Sequence, residues 1–187
     1  MSKKIIELIK NNKVGVMPTD TIYGLVGSAL SPQAVARIYK LRKRNLKKPF
    51  IILIGSLKDL ELFKIRPDKF TRKILNKIWP NAVSVVLPCR SKDFSYLHRG
   101  TKSLAFRLPK NKNLLAFLIK TGPLVAPSAN PEGLNPAQTI NQAKRYFGES
   151  IDFYVDGGTI KGAPSTLIAI KNKKITVLRE GAVKIKI

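Results

Sequence analysis

Four basic residues crowd into Lys40-Leu41-Arg42-Lys43-Arg44, and Lys47-Lys48-Pro49 follows close behind. From Ser31 to Phe50 there are seven basic residues and no acidic one. If the run is helical, Lys40 and Arg44 share a face, while Arg42 projects elsewhere unless the helix ends there. Like charges at that spacing destabilise a helix by a few tenths of a kcal/mol. A bound polyanion resolves the conflict, and a triphosphate offers oxygens that a guanidinium grips two at a time. Neither G-x-x-x-x-G-K-[ST] nor G-x-G-x-x-G occurs, so a phosphate site here is of another kind. Three further polar segments follow apolar runs, where open α/β sheets bind ligands. They are Pro18-Thr19-Asp20-Thr21-Ile22-Tyr23-Gly24-Leu25, Ala126-Pro127-Ser128-Ala129-Asn130-Pro131, and Gly157-Gly158 through Pro164-Ser165-Thr166. Each alone also suits a bland role: a Thr/Asp/Thr run as a turn or cap, a basic helix end as complement to the macrodipole.

Other chemistries are poorly supplied. Cys89 is the only cysteine, which excludes an intramolecular disulfide, a CxxC pair and a thiolate zinc cluster. His98 is the only histidine, and Leu97-His98-Arg99-Gly100 carries no nucleophile motif such as G-x-S-x-G. It reads as a loop or surface histidine.

The elements that must position these loops alternate early and cluster late. Lys3 to Asn12 has a helical apolar stripe, and Val14 to Met17 is a short buried strand stopped by Pro18. Ser31-Pro32 starts a second helix with a serine N-cap and proline at the first position. That helix turns Val35, Ile38, Tyr39 and Leu41 inward. Phe50–Ile54 is an apolar strand, followed by a helix from about Pro67 to Ile78. Val83–Leu87 and Leu104–Leu108 are strands around a basic loop, and Asn113–Lys120 is a helix. Pro123–Ala126 is a strand and Pro136–Phe147 a helix. Phe153–Val155, Thr166–Ile170 and Ile175–Leu178 close the chain as strands. This order predicts an α/β fold with a mixed sheet. The 187 residues show no repeat or linker, so one domain over 1–187 is expected.

The 35 Lys+Arg against 11 Asp+Glu give 35 − 11 = +24, which favours a polyanionic partner or a lysine-rich solvated surface. Phe50–Ile54 and the other apolar runs are too short to cross a membrane, and Met1–Lys10 has no signal-peptide core. A cytoplasmic protein is expected.

The blocks PTDTIYGL, AVARIYKLRKR, WPNAVSVVL, SLAFRLP, GPLVAPSANPEG and PSTL leading to VLREG occur in order from about Ile5 to Gly181. Together they resemble the YrdC/TsaC family, which includes the threonylcarbamoyl-AMP synthases of tRNA modification. The resemblance implies an open, twisted mixed sheet with flanking helices and a basic central cavity. It implies condensation of L-threonine, bicarbonate (or CO2) and ATP to threonylcarbamoyl-adenylate and pyrophosphate. Mg²⁺ is then held mainly by the triphosphate, and a partner transferase complex delivers the threonylcarbamoyl group to tRNA. No protein nucleophile is needed, which suits this residue inventory; positioning and charge stabilisation do the work.

By the same resemblance, Thr21, Arg107, Ala126 and Ser165 contact threonine, with Arg107 on its carboxylate. Arg44, Ser103, Ser128 and Arg179 contact ATP. The family's Lys-x-Arg and Ser-x-Asn constellation falls on Arg42-Lys43-Arg44 and Ser128-Ala129-Asn130, which makes Arg42, Arg44, Ser128 and Asn130 the expected catalytic set. The chain departs from the pattern where Arg42 replaces the usual lysine, with Lys40 as the nearest substitute ammonium for ATP. Asn45 replaces a proline, Asn81-Ala82 a Gly-Pro, Val26 a glycine and Leu53 a histidine. The chain ends soon after LREG, as in the short single-domain form. Two other readings stand beside the synthase. One is a non-catalytic module whose basic cavity binds double-stranded RNA or tRNA; the other is a paralogue acting on a different carbamate.

Overall fold

The computed structural model describes residues 2–171 and 173–185. Most expected elements appear with shifts of a residue or two. Helices α1 (Lys3–Lys10), α2 (Pro32–Arg42), α3 (Lys69–Ile78), α4 (Ser95–His98), α5 (Lys112–Thr121) and α6 (Ile140–Phe147) alternate with nine strands. The strands are β1 (Gly15–Pro18), β2 (Tyr23–Ser28), β3 (Ile51–Leu53), β4 (Val83–Pro88), β5 (Ser103–Arg107), β6 (Leu124–Val125), β7 (Phe153–Tyr154), β8 (Thr166–Lys171) and β9 (Lys174–Arg179). They form one sheet in the order β7-β1-β2-β6-β3-β5-β4-β8-β9. Pairs β1/β7, β3/β5 and β4/β8 are parallel and the other five antiparallel, which makes the sheet mixed as expected.

Local chemistry accounts for the helix starts. Ser31, Asp68, Asn111 and Thr139 each accept a backbone N–H three residues on, satisfying a donor the first turn leaves free. Helix α6 starts at Ile140 rather than Pro136, because Thr139 caps it and Pro136 belongs to the preceding loop.

Two of the unexpected features concern residues singled out in the sequence. Strand β2 takes up half of a segment read as a loop, so Thr19–Ile22 is the turn of a β1–β2 hairpin, closed by the Thr19 N–H on the Ile22 carbonyl at 3.1 Å. Strand β2 is buried on both faces, so no polar alternation marks it. Its glycines are fitted: a Cβ on Gly27 would lie 3.0 Å from Val14 Cγ1. The second is His98, which is buried rather than on a loop or the surface. It ends the one-turn α4, where Nδ1 accepts the Gly100 N–H at 3.2 Å and Nε2 lies 3.3 Å from the Ser91 carbonyl. That pairing places the proton on Nε2 and satisfies both nitrogens locally.

The sheet packs on both sides. The larger core holds Val16, Leu25, Ile38, Ile52, Phe106 and Ile168. On the opposite face α1 and α5 cover Met17, Val26, Leu53 and Leu124. Strand alternation puts Arg107, paired with Leu53 across β3/β5, on this second face. The α1–α5 cover stops short of β5, β4 and β8, and the uncovered half becomes the floor of a cavity.

Candidate functional site

The cavity has a volume of about 410 Å³. Its wall includes Thr21, Arg42, Arg44, Arg107, Ala126, Ser128, Asn130, Ser165 and Arg179, which brings nine of the expected site residues together from α2, β5 and β9 and from the segments just before β2 and β8, just after α2 and just after β6. Among the described residues, four guanidiniums line it and no carboxylate does. Lys40 and Ser103 are not brought there. Lys40 is exposed on α2. Ser103 shares the sheet face of Arg107 but lies four residues away, roughly 13 Å along the strand, and lines a separate open groove.

The end of α2 explains how Arg42 and Arg44 both reach the wall. The helix stops at Arg42, and Lys43 takes the left-handed conformation at φ 49°. Its N–H donates to Lys40 and that of Arg44 to Tyr39, a Schellman closure. Arg44 therefore leaves the helix and no longer shares a face with Lys40. Its Nε donates to the Lys48 carbonyl at 3.2 Å, and its guanidinium lies 5.5 Å from the centre of the Phe50 ring.

Arg42 is buried and turned onto the Ser128–Asn130 loop. Its Nε donates to the Asn130 carbonyl at 2.8 Å, and one terminal nitrogen reaches Ser128 Oγ at 3.2 Å and Asn130 Oδ1 at 3.3 Å. Asn130 spends its amide on the Pro131 and Leu134 carbonyls at 2.8 and 2.7 Å. The loop is further sewn to β2: Leu25 donates to Pro127 and Ala129 to Tyr23, each at 2.9 Å. Arg42 and Asn130 thus hold the cavity wall in shape, and Ser128 is the member of that set left half-exposed on it.

Arg107 is buried and meets Asp20 at 2.8 Å, a residue to which the sequence reading gave no role. Neither is satisfied by the pair: Arg107 Nε and Asp20 Oδ2 are buried without partners. Buried Ser165 shares a 2.8 Å hydrogen bond with Ser84, also unanticipated, and its carbonyl accepts from Arg179 at 2.7 Å. Thr21 is buried in the hairpin turn, 3.2 Å from the Thr19 hydroxyl. Ala126 donates its N–H to Ile51 at 3.0 Å and contributes a small side chain to the wall.

The charges press on one another. Burial pushes Arg42 down to about 10, and nearby Arg44 adds to the fall. Burial also lowers Arg107, against the pull of Asp20, with Arg179 lowering it further. Arg179 is lowered by burial and by Arg44. Such a cavity favours an anion with several negative oxygens, since that relieves these three repulsions at once. Among the described residues, no three His, Cys, Asp or Glu side chains converge as metal ligands, and no helix is long and apolar enough to cross a membrane.

Comparison with known proteins gives the same picture. The Sua5/yciO/yrdC family model, described as telomere recombination, matches residues 7–181. A putative threonylcarbamoyl-AMP synthase of Methanocaldococcus jannaschii is 28% identical, over 98% of this chain and 88% of its own. The threonylcarbamoyl-AMP synthase of Bacillus subtilis is 31% identical over 94% of this chain, which spans only about half (52%) of that longer relative. Among solved structures, Pyrococcus abyssi Sua5 complexed with L-threonine superposes with a TM-score of 0.86 at 29% identity, over 95% of this chain and 53% of that one. Escherichia coli YciO, at 22% identity, TM-score 0.85 and coverage of 98% and 90%, shares the fold. By motif order, sheet topology and near end-to-end similarity, the chain belongs to the Sua5/YciO/YrdC family.

Proposed function

We propose that this chain is a threonylcarbamoyl-AMP synthase acting as a single domain over residues 1–187. It condenses L-threonine, bicarbonate or CO2, and ATP to threonylcarbamoyl-adenylate and pyrophosphate. The observation that carries the reading is the cavity wall of four arginines interleaved with Thr21, Ser128 and Ser165. The neutral threonine amine captures CO2 as a carbamate and releases a proton. A carbamate oxygen then attacks the α-phosphorus, and the bond to the β-phosphate oxygen breaks as pyrophosphate leaves. Negative charge stays on phosphate oxygens throughout, so fixed guanidiniums supply what the reaction needs.

In this reading Arg44 and Arg179 face the triphosphate with Ser128, and Mg²⁺ enters as part of the MgATP substrate. Arg107, which lines the cavity floor, receives the threonine carboxylate. Arg42 and Asn130 serve the chemistry by holding the loop that carries Ser128. The adenylate then passes to a transferase that modifies tRNA. Pyrophosphate release from ATP and bicarbonate at fixed Mg²⁺, with L-threonine, with L-serine and with neither, tests the proposal. Release that depends on threonine is expected. No release from folded protein that still binds ATP would move the assignment to a different carbamate.

A specific observation favours a second reading, RNA binding. Beyond Ala105 the uncovered sheet face continues into an open groove of about 1120 Å³ lined by Lys64, Arg66, Arg90, Lys102, Lys171 and Lys173. Binding that falls by orders of magnitude between low and moderate salt, without threonine-dependent turnover, would support it.

A further inference from the structure

Glu132 is the only acidic residue between Asp93 and Glu149, and it stands opposite the most basic stretch of the chain. Its two carboxylate oxygens part company. Oε2 accepts the Asn45 N–H at 2.8 Å, and Oε1 takes the Lys48 ammonium at 2.8 Å. The N–H of the same residue donates to the Arg42 carbonyl at 2.7 Å. One residue therefore ties down positions 42, 45 and 48, on both sides of Arg44. No regular element does so, because α2 has ended at Arg42 and β3 begins only at Ile51. Lys43, Arg44, Lys47 and Lys48 repel one another within this span, and the Glu132 carboxylate supplies a counter-charge to it. The Lys48 carbonyl accepts from Arg44 Nε and from the Tyr39 hydroxyl at 3.1 Å, and it belongs to the turn that the Lys48 N–H closes on the carbonyl of Asn45 at 3.1 Å, the residue whose own N–H Glu132 holds.

We propose that Glu132 is the positioning residue of Arg44: its carboxylate latches the Arg44–Lys48 span onto the Ser128–Pro131 loop and so fixes the guanidinium at the cavity wall. The inference rests on the nucleotide-facing role given to Arg44 above. The latch needs a backbone N–H at position 45, which asparagine supplies and proline could not. That gives two independent ways to break it.

The test uses the whole chain and three variants, Glu132→Gln, Asn45→Pro and the double variant, each checked for native circular dichroism. Amide hydrogen exchange reads the latch itself, and calorimetry with ATP reads its consequence. Protection of the Asn45 amide is expected in the wild type and reduced protection in Glu132→Gln, whose amide offers one neutral acceptor where the carboxylate offers two charged ones. Each single variant should weaken ATP binding by roughly tenfold, the scale of one charge-assisted hydrogen bond. The double variant should be no weaker than the weaker single one, since both changes open one latch. The KM for threonine, where turnover is measurable, should stay within about twofold, which a general loss of structure would not allow. An unprotected Asn45 amide in the wild type, unchanged ATP affinity in both single variants, or losses that multiply in the double variant would each overturn the proposal. ATP binding without threonine-dependent pyrophosphate release would sink the synthase reading alone, and the affinity ratios would still decide the latch.

Discussion

The Nε of Arg42 lies 2.8 Å from the backbone carbonyl of Asn130, 88 residues further along the chain. With its contacts to Ser128 Oγ and Asn130 Oδ1, this joins the last residue of α2 to the loop beside β2. A lysine in place of Arg42 could reach one of these oxygens but not span all three, because an ammonium on a flexible stem lacks the planar fork. Arg42→Lys should therefore fold, keep the cavity charge, and lose about 1–3 kcal/mol of stability as buried acceptors go unpaired. Urea denaturation checks this. An unchanged midpoint would mean that the clamp contributes nothing.

Arg107 and Asp20 raise a different issue. A substitution meant to test substrate binding, Arg107→Ala, also strands a buried carboxylate, since Asp20 has no other charged partner among the described residues. The expected cost is about 3–5 kcal/mol, typical of breaking a buried pair from one side. Removing both charges in Asp20→Asn with Arg107→Gln should recover much of that stability while leaving the threonine requirement raised. Thermal melts and threonine titrations on the single and double variants separate the two effects. Equal stability of single and double variants would refute the pairing as the source of the loss.

The sequence carried some of this arrangement plainly and hid the rest. Helix α2 was legible because Ser31-Pro32 is an N-terminus signal and Val35, Ile38 and Tyr39 keep helical spacing. Its end was not, because Lys43 adopts a left-handed conformation that glycine would have announced. That single turn decides whether Arg44 lies beside Lys40 or on the cavity wall. Strand β2 was hidden by burial on both faces, and the Ser165–Ser84 bond by the 81 residues between its members. Asp20 stood inside a quoted motif, yet only the sheet register brings it to Arg107. The departure from the family pattern at Asn45 acquires a partner in Glu132, a pairing visible only when the two loops meet.

Position relative to the wall predicts which substitutions matter for ATP. Arg44→Ala removes a guanidinium from the cavity and should weaken ATP binding by about 1.5–3 kcal/mol, the range for a charge-assisted contact. Lys40→Ala and Ser103→Ala alter residues outside that wall and should leave ATP affinity within about twofold. Isothermal titration of the three variants distinguishes them. A large loss at Ser103 would mean that the nucleotide extends along β5 into the neighbouring groove.

The Glu132 carboxylate also makes a prediction about acid. The Lys48 ammonium and the Asn45 N–H hold it at about 2, below its usual 4.5. Between those two values the unfolded chain binds a proton that the folded chain does not, so lowering the pH favours unfolding. The contribution is complete above about 4.5 and is lost as the pH falls towards 2. Asp68, held down chiefly by the Thr71 N–H, and Asp93, held down by Lys64, act in the same sense. Melting temperature should therefore drop through this window in the wild type and drop less steeply in Glu132→Gln, where one of the three carboxylates no longer titrates. Because Lys48 is exposed, added salt near neutral pH should narrow the gap between the two proteins. Parallel acid profiles would show that Glu132 titrates alike in the folded and unfolded chain, and that Lys48 and Asn45 do not hold its charge.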